Sequence, residues 1–208
     1  MTGTRVYSID GITPVVHPGA FVHPSAVLIG DVLVGAGVYV GPCASLRGDF
    51  GRIVIETGAN IQDGCILHAF PERDLVVEQD AHIGHGAVLH GCVVRRNALV
   101  GINAVVNDNA VVGESALVAA CAFVKADFQV PPRTLVAGIP ARVVRELSAG
   151  ELAWKKDATR QYQQLTLRSL SSMRETVALL APEPDRGRIR VGNDVMPLGE
   201  MKRRAKQD

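Results

Sequence analysis

The chain has 208 residues, with 22 Lys and Arg against 21 Asp and Glu and a formal net charge of +1. That length bounds one domain with room for a long appendage, and the charge balance excludes a bulk electrostatic pull towards nucleic acid or a membrane surface. No apolar run is long enough to span a bilayer, and the opening MTGTRVYSIDG lacks a leader pattern, so a cytoplasmic protein is expected.

The composition narrows the fold. Only 4% of residues are aromatic, yet 47% are hydrophobic, and Val, Ile, Leu and Ala are interleaved with 21 glycines. Many short β-segments joined by tight turns around a narrow core would use residues in this way. Cys43, Cys65, Cys92 and Cys121 show no CxxC spacing. In a reducing compartment they read as small buried apolar residues.

An aliphatic marker recurs every six positions from Val16: Val22, Leu28, Val34, Val40 and Leu46. The series resumes as Ile55, Ile61 and Leu67, then as Val77, Ile83 and Leu89. It slips one residue at Val94 and continues through Val100, Val106, Val112, Val118 and Val124. Six fits neither a helix nor a simple alternating strand. It fits a coil of three short faces with the marker pointing inwards, and such coils bury a core only when stacked. From Val16 to Val124 the spacing gives about six coils. The two interruptions are read as loops bulging from corners. Small residues four places after a marker, such as Ala26, Ala59, Ala104 and Ala122, suit tight corners.

The pattern is expected to stop at Val130-Pro131-Pro132. Ser148 and Glu151 form a capping box opening a helix from about Ala149 to Leu180. Tyr162, Leu165, Ser169, Met173, Val177 and Leu180 lie on its packing face. The expected organisation is a solenoid over residues 1–134, an exit segment and helix over 135–181, and an extended tail over 182–208. The Lys202-Arg203-Arg204 cluster in that tail reads as a solvated end rather than a nucleic-acid patch.

Assigning the markers to three faces in rotation sorts the polar residues. Arg47, His68 and His90 each follow a marker of the first face by one, so they share a column on successive coils. Neighbouring coils are about 4.8 Å apart, close enough for two imidazoles to share a metal ion at bonds of about 2.0–2.1 Å. Asp63 and His85 each follow a marker of the third face by two and form a second column. His85 would then reach the ion of a neighbouring copy. That contact is heterologous and closes with three copies, predicting a homotrimer with an Arg47–Asp63 ion pair between subunits. Gln62 stands beside the second column, where it could hydrogen-bond a metal-bound water or serve as a structural amide. His17, His23 and His82 are read as residues without a site role.

The repeat resembles the hexapeptide-repeat family, which implies a left-handed parallel β-helix. At RGDFGRIVIETGANIQDGCILH and HIGHGAVLHGC the chain resembles the γ-class carbonic anhydrases of that family. This resemblance implies a zinc or iron site between subunits, with His68 and His90 from one chain and His85 from the next. It also implies supporting roles for Arg47, Asp49, Gln62 and Asp63, and for Tyr162 near the pocket. Phe50 and the Ala69-Phe70-Pro71 loop replace positions that carry glutamates for proton transfer, which argues against fast CO₂ hydration and gives the pocket apolar surface. YSIDGITPVVHPGAFVHPSAVLIGDVLVG and RELSAGELAWKKDATRQY resemble the phenylacetic-acid-degradation branch, with a carnitine-operon branch as a close cousin. The former implies a metal-dependent thioesterase that hydrolyses ring-modified phenylacetyl-CoA thioesters with metal-bound hydroxide. A carbonic anhydrase and a non-catalytic metal-stapled trimer stand as alternatives. The expected partners are an acyl-CoA substrate and two further copies of the chain, with no nucleic acid and no membrane.

Overall fold

The computed structural model describes residues 4–189, 191 and 196–204. The body is a left-handed parallel β-helix with three faces. On its third face seven parallel two- to five-residue strands stack from Phe21–Val22 to Thr134–Gly138, and Ala141–Glu146 returns antiparallel along the last of them. These seven strands correspond to about seven turns, against the six counted from the repeat.

The extra turn has a simple origin. The marker series does not end at Val124 but continues as Val130 and Val136, which are 3% and 0% exposed. Pro131 and Pro132 occupy the corner after Val130 rather than a strand, so they do not break the coil. Every marker from Leu28 onwards is buried, and the small alanines fill the core beside them. Two of the cysteines, Cys65 and Cys92, join that core, whereas Cys43 and Cys121 are exposed at corners.

The corners obey a second rule. The residue three places after a marker repeatedly takes a left-handed conformation, as at Asp80, Asn97, Asn103, Asn109 and Gly86. Asp, Asn and Gly tolerate that region best. The first interruption is not a bulging loop. Ser45–Ile55 is one strand that bends from the first face to the second, and at its bend a Cβ on Gly48 would lie 2.3 Å from the Asp31 carbonyl. The second interruption is a loop with a turn at Phe70–Arg73.

Helix α1 spans Ala149–Ser172 and begins with the expected capping box. It ends eight residues before Leu180. Met173, Val177 and Leu180 are exposed, so no packing surface supports a continuation. Of the expected face Ser169 is buried and Tyr162 and Leu165 are half-buried, but the other buried residues are the polar Glu151, Lys155, Thr159 and Thr166 rather than an apolar stripe. The reason lies in what the helix covers. It runs along the corner between the second and third faces, where backbone carbonyls point outwards. Lys155 donates to the Asp80 carbonyl (2.7 Å) and to Asn97 Oδ1 (2.8 Å), and Gln163 donates to the Gly58 carbonyl (3.2 Å). Beyond the helix the tail is not wholly extended: α2 spans Leu198–Arg204, and the Met196 carbonyl accepts a hydrogen bond from Trp154 Nε1 at 2.8 Å. Residues 190, 192–195 and 205–208 of the expected tail lie outside the described residues.

Candidate functional site

The register places Arg47, His68 and His90 directly beside one another on three successive turns. His68 and His90 end their strands and Arg47 lies within Ser45–Ile55, and each comes just past a buried leucine, so the three side chains leave the solenoid in one column. His68 Nδ1 and His90 Nε2 are 3.1 Å apart. His90 Nδ1 lies 2.6 Å from Asp108 Oδ1, and His68 Nε2 lies 3.1 Å from Asp49 Oδ1. Asp49 is held in turn by Arg47 Nη1, which donates to it at 2.7 Å. The Phe70 ring meets the His90 ring edge-on at 4.9 Å, and Phe50 tilts over His68 at 5.3 Å. Both phenylalanines are exposed, so the histidine pair sits at the edge of an open apolar patch.

This line of four groups can be counted in protons. Asp108, His90, His68 and Asp49 make three consecutive contacts. Each contact needs one bridging proton, and two neutral imidazoles carry two between them. With both carboxylates ionised, the line is one positive charge short of full pairing. Burial, followed by the Arg47 guanidinium, pushes the His68 pKa below its ordinary value, which keeps that ring neutral and able to accept a proton.

The second column forms a separate cluster on the third face. His85 Nδ1 contacts Asp63 Oδ2 at 2.5 Å, and Tyr162 Oη on α1 lies 3.5 Å from His85 Nε2. Gln62 is buried here, with its Nε2 donating to Asn60 Oδ1 (3.0 Å) and to His82 Nε2 (2.6 Å), and its Oε1 accepting from the His85 N–H (3.2 Å). The Tyr162 ring packs edge-on against His82 at 5.3 Å, and burial with the nearby Asp63 charge raises its hydroxyl pKa to about 12.

The structure thus brings His68 together with His90 and Asp49, and brings His85 together with Asp63, Gln62 and Tyr162, but it does not join the two groups within one chain. Arg47 pairs with Asp49 and Asp63 with His85 inside the subunit. Among the described residues no three His, Cys, Asp or Glu side chains converge on a point that could hold a metal ion, so a three-histidine zinc centre is not built by one protomer. The donors present fit a metal only in part: His68 and His90 face each other, while a third donor must come from elsewhere.

Sequence reasoning missed three contributors. Asp108 follows the next marker of the first face, Val106, by two, an offset open to the same count. His82, read from the sequence as a residue without a site role, is 9% exposed and hydrogen-bonded to Gln62. Asn60 is the register partner of His82 on the preceding turn.

No family model matches the chain. It is 51% identical over 195 residues to a carnitine operon protein CaiE from Proteus sp. (strain LE138), covering 94% of this chain and 99% of the relative. It is 56% identical over 191 residues to a CaiE protein from Salmonella dublin, covering 92% and 96%. Among solved structures it resembles a candidate acetyltransferase from Bacillus cereus, with a TM-score of 0.80 and 31% identity over 81% of this chain and 98% of that one. A hexapeptide transferase family protein from Anaplasma phagocytophilum gives a TM-score of 0.76 and 31% identity over 78% and 96%. No helix among the described residues is long and apolar enough to cross a membrane.

These likenesses correct the functional expectation. A zinc-dependent thioesterase of phenylacetate catabolism, of the type called PaaY, is overturned by relatives that carry the carnitine-operon name and by structural neighbours described as transferases. The γ-carbonic anhydrase resemblance rests on Arg-x-Asp, the Gln-Asp-Gly turn and the spaced histidines, and motifs shared within a fold do not by themselves fix the chemistry. The repeat, the register of its turns and the near full-length identity place this chain in the CaiE family of hexapeptide-repeat proteins.

Proposed function

We propose that this chain is an acyltransferase that takes its acyl group from a CoA thioester and acts in the carnitine-linked setting for which its relatives are named. The observation that supports this reading is the Asp108–His90–His68–Asp49 line, which lacks one proton and is flanked by apolar surface. Asp108 orients His90, and the two neutral rings take the proton from an acceptor hydroxyl or amine as its oxygen or nitrogen attacks the thioester carbonyl. The new ester or amide bond forms, the carbon–sulfur bond breaks, and the proton returns from the histidines to the departing thiolate. Arg47 supports Asp49, and Phe50 and Phe70 shield the reacting groups from water. We read the protein as a homotrimer in which the first face of one copy meets the third face of the next. Gln62, Asp63, His85 and Tyr162 then line the opposite wall of the same site.

The test is release of CoA thiol from acetyl-CoA with and without a panel of small hydroxy and amino acceptors, carnitine first. Acceptor-dependent release with acylated product is the expected result. Release at the same rate with no acceptor, or none with any acceptor, overturns the reading.

A second reading is favoured by the same missing positive charge. A divalent transition metal between His68 and His90, completed by His85 of a second copy, would supply it and add Lewis acidity at the site. Metal analysis of the purified protein tests this. Changing His85 alone should empty every site, and exchange with a His68/His90 double variant should restore some. No recovery in exchanged mixed oligomers would sink the shared-site arrangement.

A further inference from the structure

The tail returns to the body of the protein beside the candidate site. Every residue from 173 to 189 is exposed, with Val177 at 87% and Leu180 at 105%, so this stretch buries no side chain against the solenoid. Further on, Met196, Leu198, Glu200 and Met201 are half-buried. Trp154 Nε1, near the start of α1, donates to the Met196 carbonyl at 2.8 Å. Leu198, the first residue of α2, lines a cavity of about 370 Å³ together with Leu99 and Leu117 of the third face and Trp154 of α1. His85 and Tyr162 line the same cavity. The tail therefore closes one side of the space that these two site residues share.

The docking of α2 is separable from the rest of the fold. Helix α1 is held by other groups: Lys155 on the Asp80 carbonyl and Asn97, and Gln163 on the Gly58 carbonyl. Nothing in those contacts involves the tail, so α2 can leave without loosening α1. A terminal segment held by one backbone acceptor and a few half-buried side chains belongs to the class of elements that open at low cost. The connection through residues 173–189 keeps it close enough to dock again.

We propose that α2 is an autoinhibitory cover on the third-face wall of the site: docked, it occupies space beside His85 and Tyr162 that the acyl-CoA needs, and it leaves when the thioester binds. The inference rests on the CoA-thioester reading above. The His85 side chain stays 46% exposed with α2 in place, so the cover slows access to the site rather than abolishing it. Lids of this kind set rates by how often they are open.

Trp154 is the only tryptophan in the chain, so its fluorescence reports the contact directly. The experiment uses the full-length protein and two variants. Leu198→Asp places a charge against the apolar wall and should shift the Trp154 emission to the red as water reaches the ring. Saturating the unchanged protein with acetyl-CoA should shift the emission in the same direction. Trp154→Phe keeps an aromatic ring and removes the hydrogen bond to the Met196 carbonyl. In both variants kcat/KM for release of CoA thiol from acetyl-CoA, with the acceptor panel present, should rise at least about threefold, because a larger fraction of the protein is open. A red shift in Leu198→Asp with release unchanged or slower overturns the cover and leaves the transfer reading intact. The cover is also overturned if the emission stays still in Leu198→Asp, or in the unchanged protein saturated with acetyl-CoA. Absence of release from all three proteins overturns the transfer reading and this inference with it.

Discussion

Lys155 offers the most direct test of how helix α1 is held. Its side chain is 5% exposed, and burial lowers its pKa from the ordinary 10.5 to about 7, with the Asp80 charge opposing that fall. Two acceptors meet Nζ, the Asp80 carbonyl and Asn97 Oδ1, which matches the two protons of a neutral amine. Between pH about 7 and 10.5 the unfolded chain carries the lysine proton and the folded chain does not. Unfolding therefore takes up a proton, and stability rises with pH across that window. The gap between 10.5 and about 7, at about 1.4 kcal/mol per pH unit, sets a ceiling of about 5 kcal/mol on this effect. Lys155→Met fills the same space and cannot titrate. Urea unfolding of both proteins, followed by far-ultraviolet circular dichroism from pH 6.5 to 9.5, isolates the contribution. The wild-type stability relative to Lys155→Met should climb with pH, at most about 1.4 kcal/mol per unit. A difference that stays level within about 0.5 kcal/mol, well below that slope, would refute the buried-amine account of helix docking.

Three further outcomes are expected. Asp108→Asn keeps the shape beside His90 Nδ1 but removes the charge, and should lower kcat for acyl transfer by about 10²-fold or more with little change in KM, read by steady-state kinetics. Arg47→Met removes a cation that lowers the His68 pKa; His68 then holds a proton at higher pH, so the acid limb of kcat/KM should move upward in a pH–rate profile. Cys121 occupies a left-handed corner at φ 59° and is exposed, and Cys121→Gly should stabilise the solenoid by about 0.5–1 kcal/mol in thermal or urea unfolding, while a loss of stability would count against the corner rule.

Much of the architecture was legible before any coordinates, and for a physical reason. A solenoid is built from local repeats, so the inward residue, the small corner residue and the register between turns all appear as spacings along the chain. The pairing of Arg47 with His68 and of His68 with His90 followed from counting alone, as did the separation of His85 and Asp63 into another column. The count erred at Val130 and Val136 because prolines at a corner look the same in a sequence as prolines that end a structure.

Tertiary structure decided what no periodicity carries. The packing face of α1 is polar because it lies on outward-pointing corner carbonyls, so its Lys155, Thr159 and Thr166 could not be recognised by an apolar stripe. The pairing of Asp108 with His90, and the hydrogen bond between Gln62 and His82, depend on rotamers and on burial rather than on spacing. Position in the coil was thus written in the sequence, since each turn contacts only its neighbours. The state of each polar group was set by the helix and side chains brought against it from distant parts of the chain.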